Sequence, residues 1–151
     1  MTIESIKFIH IGIIHSSILE KESSPIQSSR SDMEATVEIF PPYEDGLLGI
    51  EEFSHIYLFY EFHRMNPDIE LQVKPFLDDQ VHGIFATRYP VRPNPLGFSV
   101  VRLLERKRNI LTVRGADMLD GTPLLDIKPF IPEFDVFEVD KIGWYKNRKY
   151  R

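Results

Sequence analysis

Short apolar and β-branched runs recur along the chain: "IKFIHIGII" near 6–14, "ATVEIF" at 35–40, "HIYLFYEF" at 55–62, "HGIFAT" at 82–87, "FSVVRLLE" at 98–105 and "ILTVRGA" at 110–116. Each has strand-like length or composition. Turn-forming stretches separate them: "PPYEDG", "NPD", "LDD", "RPNPLG", "KRN", "LDGTP" and "KPFIPEF". Only "DGLLGIEEF" suggests a helical turn. The pattern predicts an all-β, single-domain, mostly antiparallel sheet, closed or nearly closed into a barrel so that long edges are avoided. It places residues 1–140 in the barrel domain and 141–151 in a short basic tail. Segment 20–32, "EKESSPIQSSRSD", reads as a surface loop.

Two turns are denser in chemistry than the rest. "FATRYPVRPNPLGFS" (85–99) places Pro90, Pro93 and Pro95 within six residues. Each proline fixes its own φ and pushes its predecessor toward extended geometry, so Tyr89, Arg92 and Asn94 are all constrained. Such a loop holds Arg88, Arg92 and Asn94 in fixed positions. "ADMLDGTPLLDIKPF" (116–130) contains the tight-turn pair Asp120–Gly121 among Asp117, Asp126, Thr122 and Lys128. Taken alone it reads as a hairpin with solvated charges. Packed beside the arginine loop, its acids could position Arg88 and Arg92 while Thr122 faced a ligand.

Composition narrows the chemistry. The chain has 151 residues, enough for one domain with an ordinary core. Its net charge of −5 argues against a general nucleic-acid coat protein. The segment "KIGWYKNRKYR" is nevertheless basic throughout, and it reads as a solvated, frayed end or as a polyanion contact. Without cysteine there are no disulfides or thiolate metal sites, which favours a cytoplasmic protein. No apolar run has membrane-span length, and the start has no secretion-signal pattern, so no membrane partner is expected. The five histidines form no metal-ligand spacing. Neither a nucleophile elbow, a Walker loop nor a G-x-G-x-x-G fingerprint is present.

"IGIIHSS", "PIQ", "GIEEFSHIYLFYEFHR", "GIFATRYPVRPNPLGFSVVRL" and "DGTPLLDIKPFIPEFD", in this order, resemble the TsaA-like family of TrmO-type tRNA methyltransferases. Phe130 stands where many members have tyrosine. The resemblance implies a β-barrel, usually dimeric, that binds S-adenosylmethionine without a Rossmann-type fold. It also implies a tRNA substrate, methylated on N6 of the threonylcarbamoyladenosine next to the anticodon. By the same resemblance the cofactor is held by Pro25, Ile26, Gln27, His63, Arg64, Arg88, Arg92, Asp120, Gly121, Thr122 and Pro123, near the interface of a homodimer. Methyl transfer from a sulfonium is governed by positioning. Asn94 is therefore expected to address the acceptor amine, and Asp120 or Asp126 to supply negative potential. Two alternatives stay open: a non-catalytic module binding an adenine nucleotide or RNA, and a hydrolase using His63 or His82.

Overall fold

The computed structural model describes residues 1–19, 32–64 and 67–149. Two compact units divide the chain: unit 1 comprises residues 1–63 and 96–130, and unit 2 comprises 64–95 and 131–151.

Unit 1 is the barrel. Its strands are β1 (Gly12–His15), β2 (Glu34–Ile39), β3 (His55–Glu61), β6 (Leu96–Lys107), β7 (Ile110–Arg114) and β8 (Thr122–Pro129). They close in the order β1-β2-β7-β6-β3-β8, with every neighbour antiparallel. Closure removes the unpaired edges that a sheet of this size would otherwise expose. Alternation puts Ile14, Val37, Ile56, Leu58, Leu111, Val113 and Leu124 inside, all with no exposed surface. Gly12 is required where β1 pairs with β2, because a Cβ there would collide with the Glu38 carbonyl.

The expected strands at 35–40, 55–62, 98–105 and 110–116 are present with small shifts in their ends. The run at 6–14 contributes only Gly12–His15, and Ile3, Ile6, Phe8 and Ile9 are exposed. The helical signal at 45–53 becomes two 3-10 segments, Pro41–Leu47 and Ile50–Glu52. A further strand, β8, follows the acidic turn. Its prolines sit at its second and last positions, and the β3 ladder begins only at Leu124, so Pro123 removes no donor from it. A bulge at Leu125 lets Leu124 and Ile127 both reach the core.

Unit 2 contains a small ribbon of β4 (Gln72–Val73) and β5 (His82–Gly83), the 3-10 turn Ile84–Ala86, the α turn Pro132–Asp135 and the 3-10 turn Gly143–Asn147. The run at 82–87 is thus strand for only two residues. The basic segment is not frayed over its described part. Trp144 stacks on His82 with ring centroids 5.2 Å apart and donates its Nε1–H to the Ala86 carbonyl at 2.7 Å, while the Lys149 amide bonds the Leu77 carbonyl.

Candidate active site

Antiparallel closure gathers the ends of β1, β3 and β7 and the starts of β2, β6 and β8 on one rim of the barrel. On this rim the acidic turn is joined to the loop after β1. The Ser16 amide donates to Asp120 Oδ1 at 3.0 Å, Ser16 Oγ donates to the Met118 carbonyl at 2.7 Å, and the Asp120 amide bonds the Ile18 carbonyl at 2.7 Å. Gly121, at φ 79°, makes the left-handed step that lets its amide reach the Ile14 carbonyl. Thr122 is buried, and its hydroxyl donates to the Leu119 carbonyl at 2.6 Å. The resulting turn is bonded at every corner, with Asp120 half-buried and Pro123 beginning the strand proper.

Beneath the turn lies a polar chain inside the barrel mouth. Tyr60 points inward from β3 and is 4% exposed; its hydroxyl meets Ser99 Oγ at 2.9 Å. Ser99 in turn donates to Asp117 Oδ1 at 3.2 Å. Burial pushes the Asp117 carboxyl above the usual carboxylate range, and the Ser99 hydrogen bond offsets only part of that rise. The Tyr60 phenol is also raised, first by burial and then by the negative charge of Asp117. The sequence marks Asp117 only as one acid of the turn and does not single out Tyr60 or Ser99. The available signal was alternation in "HIYLFYEF", which puts Tyr60 on the face of Ile56 and Leu58, where a buried phenol needs a partner.

His63 also belongs to unit 1, half-buried in the turn after β3, whereas Arg64 opens unit 2. Asp126 is not brought to Asp120. It lies four residues beyond Thr122, about 13 Å of strand, on the outer wall, where Lys128 pairs with it at 3.1 Å. Pro25, Ile26 and Gln27 lie outside the described residues.

The proline loop belongs to unit 2 and is braced from within. Thr87 is buried; its hydroxyl donates to the Ile84 carbonyl at 2.9 Å and accepts from the Tyr89 amide at 3.2 Å. Arg92 Nη1 donates to the carbonyls of Thr87 and Tyr89, at 3.0 and 3.1 Å. Arg88 and Asn94 are exposed on the same loop. One guanidinium nitrogen of Arg92 therefore shapes the loop by bonding two of the loop's own carbonyls.

Unit 1 thus offers Asp117 and Asp120 with the rings of Tyr60 and Phe62, which pack edge to face at 5.6 Å. Two half-buried carboxyls suit a cationic small molecule. No group of three or more His, Asp and Glu side chains among the described residues could hold a metal ion.

Comparison with known proteins is consistent with this reading. A family model described as the tRNA-methyltransferase O N-terminal domain matches residues 13–136. A probable S-adenosyl-L-methionine-binding protein of Pyrococcus abyssi is 56% identical over 93% of this chain and 77% of its own length. A mouse tRNA (adenine(37)-N6)-methyltransferase is 36% identical over 83% of this chain, which spans 31% of that protein. The crystal structure of a TrmO superposes with TM-score 0.79 at 37% identity, covering 93% of this chain and 64% of that one.

Proposed function

Because the chain belongs to the tRNA-methyltransferase O N-terminal domain family, we propose that it is an S-adenosylmethionine-dependent tRNA adenine-N6 methyltransferase, and that its acceptor is N6 of threonylcarbamoyladenosine beside the anticodon. The observation that carries this reading is the pairing of the family match with a barrel mouth that holds a half-buried carboxyl, Asp117, at the end of a polar chain. The donor set fits the cofactor's chemistry, since a sulfonium and an ammonium are both complementary to Asp117 and Asp120.

When bound, the cofactor supplies an electrophilic methyl group. The chain's own residues position the reactants and manage charge. Asp120, held through one oxygen by the Ser16 amide, gives the rim its negative potential. Asp117, with a carboxyl that holds a proton more readily than an ordinary aspartate, is suited to receive the proton that the acceptor nitrogen loses. Arg92 keeps the proline loop in shape, and by family analogy it and Arg88 hold the cofactor's carboxylate. Asn94 addresses the acceptor base. Pro25, Ile26, Gln27, His63, Arg64 and Gly121–Pro123 complete the cofactor site by family analogy. The reading includes a homodimer working in the cytoplasm, and no helix among the described residues is long and apolar enough to cross a membrane.

The test is to incubate the protein with methyl-labelled S-adenosylmethionine and tRNA carrying, or lacking, the threonylcarbamoyl group. Label is expected only in the modified tRNA. Equal label in both would overturn the specific acceptor. Cofactor binding without transfer would support the second reading, a binding protein without activity, which the name of the Pyrococcus relative favours.

A further inference from the structure

The charge of the chain is unevenly shared. Unit 1 carries nine Lys and Arg against fifteen Asp and Glu, whereas unit 2 carries nine against eight. The excess negative charge thus lies wholly in the barrel unit, which repels a polyanion at long range. Within unit 2 the acids of the C-terminal part, Glu133, Asp135, Glu138 and Asp140, all precede residue 141, and from Lys141 to Lys149 every charged residue is basic.

That basic stretch is held in a defined conformation. Trp144 fastens it to the 82–86 segment through the His82 stack and the Ala86 carbonyl, and His82 is itself fixed by Asp78 Oδ2 at 2.6 Å. Its far end is secured twice, by the Lys149 amide on the Leu77 carbonyl and by Lys149 Nζ on Asp79. Between these anchors, the Arg148 guanidinium lies 4.7 Å from the centre of the Tyr145 ring. Lys141 and Lys146 are exposed, and among the described residues neither has an ion-pair partner.

We propose that segment 141–149, anchored from Trp144 to Lys149, is a phosphate-backbone contact for RNA, with Lys141 and Lys146 neutralising phosphates and the stacked Tyr145–Arg148 pair offering a plane to an unstacked base. This rests on the methyltransferase reading for its partner, tRNA. Three physical features favour it over a merely solvated charge run. Cations on an ordered backbone lose less entropy on binding than cations on a loose tail. Each neutralised phosphate releases counterions. Arginine and aromatic planes also stack on exposed RNA bases.

The test measures binding of the full chain to an unmodified tRNA transcript across a salt series, beside calorimetric titration with S-adenosylmethionine. In the Lys141→Gln, Lys146→Gln double variant, RNA affinity should fall roughly tenfold, and the log–log salt slope should shrink by about 1.5, given about 0.7–0.9 per lost phosphate contact. Cofactor affinity should be unchanged. The double Lys→Arg variant should restore both slope and affinity. An unchanged slope and affinity in the Gln variant, or no RNA binding by the parent chain, would overturn the proposal. Loss of RNA binding in the Gln variant alongside a parent chain that transfers no methyl group would leave this surface standing and remove the methyltransferase reading.

Discussion

The two rims of the barrel use acids in opposite ways. On the rim that carries the acidic turn, Asp117 is drawn inward and burial raises its carboxyl above the usual range, against the opposing pull of hydrogen bonds from the Ser99 hydroxyl and its own backbone amide. At the other rim, Glu51 is exposed and is held below the usual range, chiefly by its own backbone amide, with desolvation opposing and Arg106 at 2.9 Å adding to the fall. Arg106 also donates to the carbonyls of Leu47 and Arg108, and Asn109 donates to the Ile39 carbonyl. Polar groups on that rim are matched to backbone partners, as expected where the role is to close the fold. On the first rim a carboxyl is kept under electrostatic strain, which contributes nothing to closure and points to chemistry.

The largest way to break the contrast is at Gly97, in β6 on the first rim. A Cβ there would overlap the Tyr60 ring and approach Phe62 within 2.9 Å. Tyr60 cannot swing aside without leaving Ser99. Gly97→Val should therefore cost about 3 kcal/mol by overpacking, read as a lower denaturant midpoint. Methyl transfer should be lost even where folding is rescued by temperature. Wild-type stability in this variant would show that the Tyr60–Ser99–Asp117 chain is looser than its distances imply.

How much of this was legible in sequence differs between the strands and the site. "HIYLFYEF" and "ATVEIF" announce strands because one face of each is buried and alternation survives. β8 was hidden, since Pro123, Pro129 and the nearby acids imitate a loop, and only the absence of a β3 partner before Leu124 makes the first proline tolerable. Residues 6–11 show the reverse error: their apolar run suggested a long strand, but the ladder in this chain extends only to Ile11. The proline loop and the Asp120–Gly121 turn could be recognised because their chemistry is local. The Tyr60–Ser99–Asp117 chain could not, because its members lie 39 and 18 residues apart and meet only through the register that pairs Tyr60 with Gly97.

An intermediate effect sharpens the comparison through pH. A carboxyl whose folded pKa is raised contributes stability that is fully present below its unfolded pKa and is lost as pH rises through the folded value. Asp117 is therefore a net liability to the fold at neutral pH, when ionised. Asp117→Asn should raise Tm by about 3 °C at pH 8, roughly 1 kcal/mol for a chain of this size, and the gain should vanish below about pH 4. Transfer activity should fall in the same variant. Glu51→Gln should show the opposite pH sign, since a lowered carboxylate stabilises above its unfolded pKa and that contribution disappears in acid. If the two variants changed the pH profile in the same direction, the division of labour between the rims would be wrong.

The smallest effect lies in the β6–β7 turn on the opposite rim. Arg108 is the non-glycine residue with positive φ among the described residues, at 53°. Holding an L side chain there costs about 1 kcal/mol. Arg108→Gly would relieve that cost but would also give the unfolded chain more freedom, worth about 0.4–1 kcal/mol in the other direction. The carbonyl at 108 would still accept from Arg106 Nε, since that bond needs no side chain at 108. The two terms nearly cancel, so the expected outcome is a gain of about 0.3 kcal/mol, seen as a slight upward shift in urea midpoint with methyl transfer unchanged. A loss of activity from this substitution would mean that the supposedly structural rim takes part in the reaction, and the contrast between the two ends of the barrel would have to be abandoned.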